Sequence, residues 1–270
     1  MTKRTRLLAL CVLAACGGSD DDGSGDTDAN VDGDGGNTNT DGGNTNTDGS
    51  TGPDASVEER FSFFITSLAT MRSQSGSQDG FGGNLGGLAG ADHNCQTAAA
   101  AVGAGDKTWH AFLSVYNNGN PIHAIDRIGT GPWYDRNGRL IANDLAGLTS
   151  GNRPAGDAQT VNDLPDENGA PLTTFGDTHD IMTASTTAGR FEGTSAVNAC
   201  NDWTDASAGT ANTVRLGHSW PAQSGMNWIH AHQMRGCSPG VNLVQNGPGT
   251  GTSVGAGGGW GGIYCFAVTP

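Results

Sequence analysis

The chain has 270 residues, of which 15% are charged and 45 are glycine, and its net charge is −14 at neutral pH. An acidic excess of this size excludes a nucleic-acid-binding surface, whose phosphates demand a basic face, and a domain lying flat on anionic lipid. The glycine content, well above the usual ~7%, predicts a loop-rich fold with little helix.

Lys3, Arg4 and Arg6 precede an apolar run from Leu7 to Leu13 that is too short to span a bilayer, and Leu13-Ala14-Ala15-Cys16 closes it. This arrangement resembles the lipobox of bacterial lipoprotein signals. The resemblance implies a signal peptide over residues 1–15, cleavage before Cys16, and lipid on the Cys16 thiol and its new amino group. Cys11 lies inside the apolar run without small residues before it and reads as incidental. Because each buried methylene contributes about 0.8 kcal/mol and one chain alone holds weakly, several acyl chains make attachment permanent. The expected location is the cell envelope, at the outer membrane and facing outward.

Residues 17–57 are built from Gly, Asp, Asn, Thr and Ser, and contain Asp34-Gly-Gly-Asn-Thr-Asn-Thr40 repeated at 41–47. Such a segment cannot bury enough apolar surface to offset the entropy of ordering, and its repeats lack the apolar position that lets calcium-binding rolls stack. With Cys16 it forms an acidic stalk, residues 16–57, with an r.m.s. span of roughly 35 Å.

Residues 58–270 are long enough for one sizeable core. Arg60 to Ser67 reads as an opening strand, rich in phenylalanine. Leu88, Ala91, Cys95, Ala98, Ala99 and Val102 recur at spacings of three and four, which predicts an alanine-rich amphipathic helix. Thr108 to Ser114 reads as a buried strand, and Pro132 to Ile141 as a hairpin turning at Asn137-Gly138. Residues 181–183 and 213–216 are shorter strand candidates. Gly262 to Val268 is apolar at every alternate position on both faces and predicts a central strand. Long turn-rich stretches over 117–130, 150–180 and 238–261 separate these pieces, so the fold class is α+β with long loops.

Four cysteines lie in this region, and an exported chain with an even count reads as a disulfide framework with three pairings open to it. Cys95 falls on the core face of the helix and Cys265 in the final strand. The pairing expected is therefore Cys95–Cys265, with Cys200–Cys237 nested inside. No two of the four have the close spacing of a zinc knuckle.

An early helix, nested disulfides and a last strand carrying the final cysteine resemble the C-type-lectin-like fold in its endostatin-related branch. The blocks Asn84 to Asp92, Thr108 to Ser114, Gly131 to Asp135, Asp166 to Gly169, Cys200 to Trp203 and Tyr264 to Phe266 are similar to an uncharacterised family of bacterial surface lipoproteins. Residues 70–82 stand as an insertion against that family, and Cys237 and Cys265 lie farther apart than its last two cysteines. The resemblance implies binding of sugars, proteins or matrix through long loops and brings no chemistry. Neither endostatin's amino-terminal histidine-rich zinc site nor the glutamate-proline-asparagine sugar signature is matched.

Three constellations carry candidate chemistry. Asn201 and Asp202 beside Trp203, with Asp163, Asp166, Glu167 and Asn168 from a loop, offer the oxygen donors that calcium takes; no cofactor is the expectation, with calcium the alternative to it. The competing reading is that these groups satisfy turn backbone. His230 and His232 share a face if their segment is extended, and His218 adds a third imidazole for a zinc site. Trp220, Trp228 and Trp260 stand among Gly, Asn, Gln and Ser, where apolar area and directional donors together suit a sugar face or a protein hot spot; the competing reading is that they anchor long loops to a modest core. Gly251 to Gly255 matches the nucleophile-elbow string but has neither a strand before it nor a helix after it.

The function expected is a non-enzymatic binding or adhesion module, with Trp220, Trp228 and Asp202 as ligand contacts and an extracellular glycan or protein as partner. The alternatives are a metal-dependent envelope hydrolase using His218, His230 and His232, and a structural envelope protein without a small ligand.

Overall fold

The structure, a computed structural model, describes residues 56–157, 163–209, 213–220, 225–244 and 251–269. The lipobox, Cys16 and the stalk expected over 16–57 lie, save for its last two residues, outside the described residues. No described helix is long and apolar enough to cross a membrane.

The described part is α+β, built on one mixed sheet and a small hairpin. A short helix α1 (Val57–Arg60) opens it with a capping box: Glu59 N donates to Ser56 Oγ, and the Glu59 carboxylate accepts from Ser56 N. Strand β1 (Phe63–Ile65) and helix α2 (Leu68–Ser75) follow. Helix α3 (Gly87–Ala101) takes the predicted position and turns Ala91, Cys95, Ala98 and Ala99 inward. Strand β2 (Trp109–Ala111), the hairpin of β3 (Trp133–Tyr134) and β4 (Leu140–Ala142), and helix α4 (Leu145–Thr149) come next. The second half supplies β5 (Asp180–Met182), β6 (Val214–His218), β7 (His232–Met234) and β8 (Gly262–Ala267).

The sheet runs β1-β8-β5-β6-β7, with β2 also on β8. Phe266 and Cys265 each pair with both β1 and β2, so those two strands occupy opposite edges of β8. β5 joins β8 in parallel at Gly262 and Ile263, and β6 and β7 extend the sheet antiparallel. β8 is buried along its whole length, as a strand apolar on both faces must be. Phe61, Phe63, Phe64, Trp109, Phe112, Trp133, Trp228, Tyr264 and Phe266 gather around it in edge-on and tilted ring contacts.

The disulfides pair as expected, Cys95 with Cys265 and Cys200 with Cys237. The first ties α3 to β8. The second anchors a four-residue turn, Cys200 to Trp203, in which every residue has positive φ. L-residues avoid consecutive left-handed conformations at roughly 1–2 kcal/mol each. Here the disulfide, the buried Trp203 ring and the Asp202 carboxylate hold the turn in place.

Candidate metal centre

Three histidines converge where β5, β6 and β7 lie side by side. The β5–β6 register sets His218 opposite Asp180, and the β6–β7 register sets His232 opposite Leu216, two residues along from His218. Side chains two residues apart share a face, so His218 and His232 meet. His179 immediately precedes β5. Its N–H and that of Asp180 both donate to Gly258 O, which breaks the strand alternation and lets consecutive side chains turn to the same neighbourhood. The His179 and His218 rings stack at 4.2 Å between centroids, and each lies 5.1 Å from His232.

One ring nitrogen from each histidine falls within 4.8 Å of the other two. His179 Nε2, His218 Nδ1 and His232 Nε2 are buried and make no hydrogen bond. Bare buried polar atoms are rare because each forfeits its solvation, and one on each of three clustered histidines calls for a partner. His179 Nδ1 donates to Asp177 Oδ1 at 3.3 Å, which leaves Nε2 as the lone-pair nitrogen. That carboxylate–imidazole relay is the usual support for a metal-binding histidine.

The electrostatics favour neutral rings. Burial pulls His179 below the ordinary histidine value. Burial, with His179, His232 and Arg153 adding to it, takes His218 down to about 2. His232 falls to about 4, by burial first and then through His179 and Arg215. Asp180 is 2% exposed, and burial, reinforced by Asp177, raises its carboxyl to about 8. Its Oδ1 accepts no hydrogen bond and lies 3.6 Å from His179 Nε2.

The surrounding elements fit tightly. A Cβ on Gly257 would stand 2.1 Å from Asp180 Oδ2, and one on Gly258 2.6 Å from Asp177 O and 3.1 Å from His179 Cε1. The glycine-rich stretch before β8 is therefore the wall against which His179 and Asp180 rest. Arg153 is buried and donates through Nη1 to the His218 and Ser219 carbonyls at 2.9 and 2.7 Å, pinning the end of β6. Trp220 is half-buried and packs edge-on against His179 and His218 at 5.7 and 5.8 Å, with Nε1 donating to Thr178 O.

Of the residues named from sequence, His218 and His232 come together and His230 does not. His230 Nε2 pairs with Glu192 Oε2 at 2.6 Å, so the third imidazole is His179. Trp228 is not a surface contact: its ring is fully buried against Phe112 and Tyr264, and Nε1 donates to Leu148 O. Trp260 is likewise internal, donating to Thr66 O. Trp220 alone of the three reaches the surface.

The calcium candidates are committed elsewhere. Asp202 accepts from Tyr116 N and Asn117 N, and exposed Asn201 bonds Thr204 Oγ1. Asp166 accepts from Asn168 N and Ala170 N, closing the turn read as the alternative. Glu167 accepts from Ser67 N and Ser67 Oγ, the residue that caps α2, and Asp163 accepts from Thr173 N. Among the described residues, only the three histidines form a group of His, Cys, Asp or Glu with metal-ligand spacing.

A scan against protein-family models gives no match, and neither does a search of curated proteins.

Proposed function

We propose that this chain is a lipid-anchored envelope protein whose disulfide-stapled domain binds a zinc-class divalent ion on His179, His218 and His232 and uses it to engage an external ligand. One observation carries this reading: His179, His218 and His232 each offer a ring nitrogen within 4.8 Å of the other two, and each keeps a buried ring nitrogen without a hydrogen-bond partner. Neutral imidazoles suit zinc, copper or nickel, whereas calcium takes oxygen donors, so a zinc-class ion is proposed where no cofactor was expected. The early helix, the nested disulfides and the central last strand support the endostatin-related lectin-like reading of the fold. The lipobox sequence supports the envelope location. With Trp228 internal, the aromatic contact left for a glycan or protein ligand is Trp220, beside the ion.

The test is metal analysis of the full chain purified without chelator, followed by titration of the stripped protein with zinc. One ion per chain is expected, with affinity lowered at least a hundredfold by His179→Ala, His218→Ala or His232→Ala and unchanged by His230→Ala. Substoichiometric zinc that stays so on titration overturns the proposal.

A further inference from the structure

Resting on that metal-binding reading, we infer that Asp180 is the fourth ligand of the ion, so that the site is closed and the ion ties β5, β6 and β7 together.

Structural zinc is enclosed by four protein ligands, while catalytic zinc keeps one position for water. Asp180 is the carboxylate placed to close this site. It is the first residue of β5 and the direct cross-strand partner of His218, so the two side chains stand on one face of the sheet. Its Oδ1 lies 3.6 Å from His179 Nε2, the nitrogen left free on that ring. Two ligands bonded to one tetrahedral ion at ~2.0–2.1 Å stand about 3.3 Å apart. The observed spacing is close to that of a ligand pair and too short to seat a water between the ion and the carboxylate. Among the described residues the histidines alone share the 4.8 Å spacing, so the carboxylate draws in as the ion binds.

Oδ1 also has no other use. The side chain is 2% exposed, and this oxygen accepts no hydrogen bond. Buried charged oxygens are paired or coordinate metals. The neighbouring acids are engaged elsewhere. Asp177 Oδ1 accepts from His179 Nδ1, Glu192 holds Arg215 and meets His230, and Asp163 accepts from Thr173 N. Charge points the same way. Metal-bound imidazoles are neutral, so three of them alone would leave two positive charges buried at a cost of several kcal/mol. Asp180 supplies one negative charge directly and Asp177 a second through His179, while that of Arg215 is already met by Glu192.

A closed ion needs no channel and meets no outside molecule. Its part in engaging the external ligand goes through Trp220, which lies two residues beyond β6 and packs edge-on against the His179 and His218 rings that the ion fixes.

The experiment loads the full chain in detergent with one cobalt in place of zinc. Visible bands of a four-coordinate ion are expected, and excess azide leaves them unchanged. Asp180→Ala is expected to keep one metal, to bind zinc at least tenfold more weakly, and to show cobalt bands that shift with azide, because water enters the vacated position. Asp180→Cys supplies a signature that a merely structural residue would not: a thiolate-to-cobalt band in the near ultraviolet, absent from the wild-type chain. Wild-type bands that shift with azide overturn the inference while the metal site stands, even where neither variant folds. So does an Asp180→Cys chain that binds cobalt without the new band, or an Asp180→Ala chain that binds zinc as tightly as the wild type. A chain that takes up no metal fails at the earlier proposal instead.

Discussion

His218 and His232 carry ordinary imidazoles into a place that keeps them neutral far below their usual range, at about 2 and about 4. Exposed histidines lose metal affinity as pH falls through ~6.5, because the proton competes for the lone pair. In the folded domain that competition begins well below this. Zinc affinity measured calorimetrically is therefore expected to fall less steeply between pH 7 and 5.5 than it would for three solvated histidines. A tenfold loss per pH unit over that range would show that the rings are solvated. The sign for stability is the reverse of a salt-bridged histidine. Depressed folded values mean that the unfolded chain takes up protons first as pH falls below 6.5. The metal-free domain should lose stability from there towards pH 4, and a His218→Gln/His232→Gln variant should lose less over the same interval when followed by thermal unfolding. Two of the three proposed ligands were legible because His232 stands in a His-x-His string and His218 lies two residues beyond the strand candidate over 213–216. His179 was not, since it closes a long turn-rich segment and reaches the others only through pairing of β5 with β6. Asp177 and Asp180 on either side of it, just ahead of an apolar strand, were the available signal.

Single elements explain stretches whose composition says little. Residues 238–261 read as a long turn-rich stretch, yet Gly257, Gly258 and Gly259 allow backbone to lie against Asp177, His179 and Asp180. Gly258→Ala is expected to cost about 1–3 kcal/mol through overpacking and its φ of 113°, and to weaken zinc binding at least tenfold. Gly225→Ala, whose Cβ would meet nothing within 4 Å, serves as the control for positive φ alone. Equal zinc affinity in the two variants would detach the loop from the site. Helix α3, the hairpin and β8 were legible through periodicity, an Asn-Gly turn and a continuous apolar run. Helix α2 was not, because only Leu68 and Met71 of its eight residues are buried and no apolar stripe forms. β7 was hidden similarly: His-Gln-Met carries no β-branched residue, and its pairing partner, not its composition, makes it a strand.

At the scale of the molecule, two cross-links and an aromatic core carry a fold whose strands are two to six residues long. The Cys95–Cys265 bridge spans 170 residues and the Cys200–Cys237 bridge 37. On the entropic account they stabilise by about 5 and about 4 kcal/mol. Cys95→Ala/Cys265→Ala is thus expected to lower the denaturant midpoint more than Cys200→Ala/Cys237→Ala. The opposite order would mean that the left-handed turn at Cys200 depends on its bridge beyond chain entropy. Trp228, expected as a ligand contact, is internal for a reason at this scale, and with Trp260 it follows the competing reading of rings that anchor loops to the core. Trp228 and Trp260 are flanked by polar residues, yet in a small core the large rings fill the centre while their N–H groups find carbonyls.

β7 ends the sheet, three residues long, with nothing paired along its outer side among the described strands. One of those three residues is His232, whose ring meets two histidines held by the strands behind it. The proposed ion would be a rivet through the last strand, and without it β7 could leave β6, whose edge would then invite a neighbouring chain. The metal content of the surroundings would then govern whether these domains stand apart or stick together. In light scattering, the stripped chain should grow with concentration, and zinc should return it to its original size.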